Sequence, residues 1–102
     1  MRSVIEPGAN LSACIPMAVA TGGRRAVFTA TLRATGLGWL FDAVVTIDEV
    51  RHGKPAPDLF LLAAERLGVV PCDCVVYEDS LQGLRAAQVA GMTAIDVTVV
   101  VR

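Results

Sequence analysis

From residue 16 onward, short apolar runs alternate with longer stretches of helical period, and turn or capping residues close each run. No other feature constrains the fold as much. Short runs rich in β-branched residues read as buried strands, and the intervening 3.6-residue period reads as helix. The spacing predicts strands over 17–20, 43–47, 74–77 and 93–97, and helices over 24–35, 57–67 and 81–90. Gly36, Gly68 and Gly91 suit the C-terminal ends of the three helices. Pro57 and Asp58 suit the first turn of the second helix, whose buried stripe would be Leu59, Leu62, Ala63 and Leu67. Ser80 is placed to cap the third helix, and Gly83 inside it should cost about 1 kcal/mol relative to Ala, which suggests close helix–sheet packing. Strand–helix repetition of this kind predicts an α/β fold, a parallel sheet with flanking helices and right-handed crossovers. Pro7, Gly8 and Asn10 break any helix near the start, so residues 1–15 are expected to be coil or a poor helix ahead of an α/β unit over 16–102.

Composition narrows the function classes. The chain has 102 residues, enough for one domain, and 54% hydrophobic against 19% charged residues excludes disorder. A net charge of −1 without a basic run gives no footprint for nucleic acid, and Arg24-Arg25 is expected to be a solvated face. No apolar stretch approaches the roughly 18 residues of a membrane helix. Glu6, Pro7 and Asn10 interrupt what would otherwise echo a signal peptide between Arg2 and Ala18-Val19-Ala20, so a cytoplasmic location is expected. Cys14, Cys72 and Cys74 form no disulfide or zinc pattern and are expected to be reduced thiols, with Cys74 in a strand. The one histidine, His52, leaves little material for a His-based triad.

In parallel α/β sheets, sites lie beyond the carboxyl ends of the strands. Three groups fall there. Thr21-Gly22-Gly23 offers a hydroxyl and free N–H groups at a helix start, which is either an anion cradle or an ordinary glycine turn. Lys54, between Gly53 and Pro55, sits in a stiffened loop from which it could act as a fixed positive charge, although an exposed loop lysine has the same pattern. Glu78-Asp79 puts two carboxylates at a strand end, which suits Mg²⁺, while capping of the next helix would account for one of them. A hydroxyl, a cation and paired acids at successive strand ends together suit phosphoryl transfer.

These segments carry a resemblance. Residues 16–23, 41–45, Gly53-Lys54-Pro55-Ala56-Pro57-Asp58, and 75–80 with Gly83, Ala86-Ala87 and Ala90-Gly91-Met92 resemble the haloacid dehalogenase superfamily of phosphohydrolases. The flavour is that of its β-phosphoglucomutase-like branch, which includes sugar-phosphate phosphatases. The resemblance implies a partial Rossmann-like core and a small phosphorylated substrate, a sugar phosphate, with Mg²⁺ as cofactor. It implies that Thr21, with Gly22, binds the phosphoryl group and that Lys54 steadies its charge. It also implies that Glu78 and Asp79 hold Mg²⁺, Asp79 the more directly. The family's first motif, Asp-x-Asp after a central strand, supplies the nucleophile and the general acid–base. No Asp-x-Asp occurs in these 102 residues, and the nearest imitations, Asp48-Glu49 and Asp96, do not fit. First-motif strand and cap domain are therefore expected to be missing, which would leave a gap in the middle of the sheet, closed by repacking, self-association or complementation by an N-terminal segment. The expected function is that of a phosphatase inactive as it stands. The alternatives are a non-catalytic phosphate- or Mg²⁺-binding module acting through association, and a receiver-like signalling domain, for which no phosphoacceptor Asp stands out.

Overall fold

The computed structural model describes residues 2–7, 16–36 and 41–97. The elements run β1 (Arg2–Pro7), β2 (Ala18–Thr21), α1 (Arg25–Thr35), β3 (Ala43–Thr46), α2 (Asp58–Leu67), β4 (Cys74–Glu78), α3 (Leu81–Val89) and β5 (Thr93–Asp96). Single 3₁₀ turns at Ile47–Glu49 and Pro71–Asp73 lead out of β3 and into β4. The strands and helices expected from 16 onward are all present, with ends shifted by at most one residue. Pro57 stands just outside α2 at its N-cap position rather than in its first turn. Gly36, Gly68 and Gly91 all have positive φ at the helix exits, the left-handed geometry that glycine adopts without a Cβ clash.

The five strands form one sheet in the order β3-β2-β1-β4-β5. β2 pairs parallel with β3, and β4 parallel with β5. β1 lies between the two pairs and runs antiparallel to both neighbours, Val4 opposite Val19 on one side and Tyr77 on the other. Two expectations change here. Residues 2–7 are a strand rather than coil or a poor helix, and the sheet is parallel apart from this central strand. The physical reason is tertiary. Without β1, β2 and β4 would each present a row of unpaired N–H and C=O groups in the middle of the sheet, and a short extended segment satisfies both rows at once. Pro7 does not prevent this, because it ends the strand. The remainder of the N-terminal segment, residues 8–15, and the β-branched run at 99–101 lie outside the described residues.

α2 packs over β3 and β2, α3 over β5 and β4, and the two helices touch. Their buried residues, Leu59, Phe60, Ala63 and Ala64 from α2 and Ala86 and Ala87 from α3, close on Ala18, Ala20, Val45, Cys74 and Val76 of the sheet. The stripe of α2 is thus rotated from the expected one: Leu62 and Leu67 are only partly buried at its edge, and Phe60 and Ala64 take the centre. Along β4 burial alternates, so that Cys74, Val76 and Glu78 share the inward face. This alternation carries an acid side chain into the packed interior, and it shapes the site.

Candidate functional site

Lys54 links the ends of β2 and β4, reaching Glu78 at the end of β4 and the carbonyl of Ala20, next to Thr21, in β2. Thr21 closes β2 and is buried, and its Oγ1 accepts the Gly23 N–H at 3.0 Å, which folds the turn into α1. That bond uses an acceptor lone pair and leaves the hydroxyl proton to donate. Gly22 is exposed, and a Cβ there would meet nothing within 4 Å, so the turn imposes no steric need for glycine at that position. The start of α1 is already partly occupied. The Arg25 N–H donates to Asp48 Oδ2 at 3.3 Å, so a carboxylate from the turn after β3 sits where an anion cradle was expected.

Lys54 comes from the loop between β3 and α2. The loop is tied at one end by Asp58, whose Oδ2 accepts the His52 N–H at 3.2 Å, and it lies close to Ile47: a Cβ on Gly53 would stand 2.7 Å from Ile47 Cδ1. The lysine does not stay in solvent. Its side chain is 7% exposed, with Nζ 3.0 Å from Glu78 Oε2, 3.4 Å from the Ala20 carbonyl and 5.2 Å from the centre of the Phe60 ring. Burial pushes the ammonium's pKa down, and the hydrogen bond and charge of Glu78 oppose that shift.

Glu78 is fully buried and committed on both oxygens. Oε2 receives Lys54; Oε1 accepts the Asp79 N–H at 2.9 Å, the Ser80 N–H at 3.2 Å and the Ser80 hydroxyl at 3.3 Å. Ser80 caps α3 as expected, its Oγ accepting the Gly83 N–H at 3.0 Å. Gly83 makes room for the acid. An ideal Cβ there would stand 2.0 Å from Glu78 Oε2 and 2.1 Å from Cδ. Asp79, one residue beyond the strand, is exposed. A hard, open carboxylate at this place fits one ligand position of Mg²⁺, which takes one or two carboxylates and completes its shell with water and phosphate oxygens. Glu78 could reach such an ion only by giving up a partner it already has. Among the described residues no group of three His, Cys, Asp or Glu side chains forms a ready metal cage.

A second polar cluster escaped the sequence reading. Arg25, expected to be a solvated face, pairs with Glu49 at 2.5 Å, and Arg66 pairs with the other oxygen of Glu49 at 2.6 Å. Both guanidinium groups also donate to the Val44 carbonyl. The hydrogen bond from Arg66, with that from Arg25, holds the Glu49 carboxyl at about 2, against burial, which acts to raise it. The clamp joins α1, the turn after β3 and α2. Nothing local foretells it, since Arg25 and Arg66 lie 24 and 17 residues from Glu49 along the chain, on opposite sides of it.

With this geometry in hand, comparison with known proteins gives a consistent result. The family model for haloacid dehalogenase-like hydrolases matches residues 10–91. The chain belongs to that family. It is 56% identical over 82 residues to the fructose-1-phosphate phosphatase of Escherichia coli, a match covering 80% of this chain and 44% of that protein. It is 43% identical over 81 residues to the phosphorylated carbohydrates phosphatase of Thermotoga maritima, covering 79% and 38% respectively. Among solved structures, a β-phosphoglucomutase-like protein of Thermotoga maritima superposes with a TM-score of 0.71 at 44% identity, covering 74% of this chain and 35% of that one. The chain thus spans less than half the length of these relatives. The haloacid dehalogenase-like match begins after β1, so the central strand lies outside the matched residues. No helix among the described residues is long and apolar enough to cross a membrane.

Proposed function

We propose that this chain carries the phosphate-binding half of a sugar-phosphate phosphatase site and is inactive alone for want of a nucleophile. The observation that carries this reading is the polarity of β1. Thr21, Lys54 and the β4 terminus converge at one end of the sheet, yet the central strand there runs backwards. Its acid, Glu6, pairs with Val75, near the start of β4 and away from Glu78. At the site end the register instead brings Arg2 opposite Thr21.

In this reading Thr21 donates its hydroxyl proton to a phosphoryl oxygen, Gly22 lets the backbone approach it, and Lys54 offsets its charge. Asp79 holds Mg²⁺, which when bound neutralises charge on the phosphoryl oxygens. The names of the relatives point to phosphorylated carbohydrates as the substrate class. A segment bearing Asp-x-Asp would have to complement the chain, taking the place of β1 with the opposite polarity. Cys72 and Cys74 are free thiols, which suits a cytoplasmic compartment.

The test is phosphate release from fructose 1-phosphate and related monoesters by the purified, folded chain with Mg²⁺, alongside Asp79→Asn. No turnover is expected from either. Turnover that Asp79→Asn abolishes would show that another carboxylate serves as nucleophile and would sink the proposal. The second reading, a phosphate-binding module, draws on Thr21 and Lys54 being assembled without a nucleophile; saturable binding of inorganic phosphate by the inactive chain favours it.

A further inference from the structure

We infer that Glu78 is a positioning residue: its carboxylate builds the turn from β4 into α3 and fixes Lys54, leaving Asp79 as the acid open to a cation. Only the role of Asp79 depends on the phosphatase reading above; that of Glu78 does not.

The two acids are neighbours in sequence but not in environment. The pleat of β4 sends Glu78 inward with Cys74 and Val76, while Asp79 follows the strand into solvent. An ionised carboxylate in the interior must have its lone pairs occupied, because an unpaired buried charge costs several kcal/mol, on the order of the penalty for breaking a buried ion pair. Glu78 meets that requirement entirely from this chain. Its Oε1 collects the N–H groups of Asp79 and Ser80 and the Ser80 hydroxyl, and its Oε2 takes the Lys54 ammonium. A relay therefore runs from Lys54 through Glu78 and Ser80 to the Gly83 N–H, so one side chain sets the position of the cation, the turn and the first turn of α3.

Gly83 shows that the fold is shaped around this arrangement. The space its absent Cβ leaves is filled by the Cγ, Cδ and Oε2 of Glu78, all within 2.3 Å of where that atom would be. Swinging the carboxylate outward to a metal would empty this space, orphan two backbone N–H groups and strand Lys54 in the interior. Asp79 can meet a cation with none of these losses.

Nuclear magnetic resonance on the isotopically labelled chain separates the roles. In wild type, amide exchange at Asp79 and Ser80 is expected to be at least tenfold slower than at exposed loop amides. Mg²⁺ should move the side-chain carboxyl carbon of Asp79 and leave Glu78 and the Lys54 Nζ resonance in place. Glu78→Gln, whose side-chain carbonyl still accepts from the turn, should keep the amide protection but shift Lys54 Nζ. Glu78→Leu should lose both. Two wild-type results overturn the assignment even if no variant folds: Mg²⁺ moving Glu78 and Lys54 together, or Asp79 and Ser80 amides exchanging as fast as exposed ones. If Mg²⁺ moves neither carboxyl, the metal part of the proposed function fails, while protected amides and a Lys54 shift in Glu78→Gln still uphold the positioning role.

Discussion

Gly83→Ala is the most informative single substitution, because two rules of opposite sign meet there. By helix propensity alone, alanine inside α3 should stabilise by about 1 kcal/mol. The structure predicts the reverse. The new methyl would fall 2.0 Å from Glu78 Oε2, 2.1 Å from Cδ and 2.3 Å from Cγ, well inside van der Waals contact. These atoms cannot yield freely, since Glu78 is buried and its carboxylate is held by Lys54 at 3.0 Å and by the Asp79 N–H at 2.9 Å. Relief by shifting α3 amounts to overpacking, at about 1–3 kcal/mol. Relief by expelling Glu78 breaks a buried pair, at about 3–5 kcal/mol. The cheaper route prevails, so after the propensity gain the net loss lies between near zero and about 2 kcal/mol, with about 1 kcal/mol the central value. For a domain of this size the central value corresponds to a fall in Tm of roughly 4–8 °C. Urea and thermal unfolding followed by circular dichroism measure it. Gly22→Ala is the control: a Cβ there has nothing within 4 Å, and its effect should stay within about 0.5 kcal/mol. A Gly83→Ala chain more stable than wild type, with the Lys54 Nζ resonance unchanged, would refute the account of Gly83 as clearance for Glu78.

Three further outcomes are expected. Lys54→Met leaves Glu78 charged and buried without its cation and should cost about 3–5 kcal/mol in urea unfolding, whereas Lys54→Met with Glu78→Gln should recover part of that loss in a double-mutant cycle. Glu49 sits at about 2 in the folded chain, against an ordinary value of 4.5, so its contribution is fully present above pH 4.5 and is lost as pH falls through about 2. The shift alone would amount to about 3 kcal/mol, but Arg25 and Arg66 are 47% and 37% exposed, so solvent screening should leave about 1–2 kcal/mol. Comparing the stability of wild type with Glu49→Gln at pH 7 and pH 3 reads this, with the difference shrinking at the lower pH. Finally, burial raises the pKa of the Cys74 thiol while Cys72 is exposed, so in a Cys14→Ser background iodoacetamide should label Cys72 in the native chain and reach Cys74 only on unfolding.

The local order of this protein is written in its sequence. Strand and helix follow from the change of hydrophobic period between residues 16 and 97, and the helix exits at Gly36, Gly68 and Gly91 follow from a left-handed geometry that glycine alone adopts cheaply. The clustering of Thr21, Lys54 and Glu78 follows from the rule that places sites at the carboxyl ends of strands. What the sequence could not settle is long-range. Val4 and Ile5 have no helical or strand context of their own, and residues 2–7 become a strand because two rows of unpaired backbone groups flank the slot they fill. Arg25, Glu49 and Arg66 look like surface charges until α1 and α2 come down on either side of the same turn. The different fates of Glu78 and Asp79 were half legible, since a period of two from Cys74 already turns Glu78 inward. Only the packing of α3 shows that Gly83 leaves the space for it and that Lys54, from a loop 24 residues away, supplies the charge that lets an acid stay buried there.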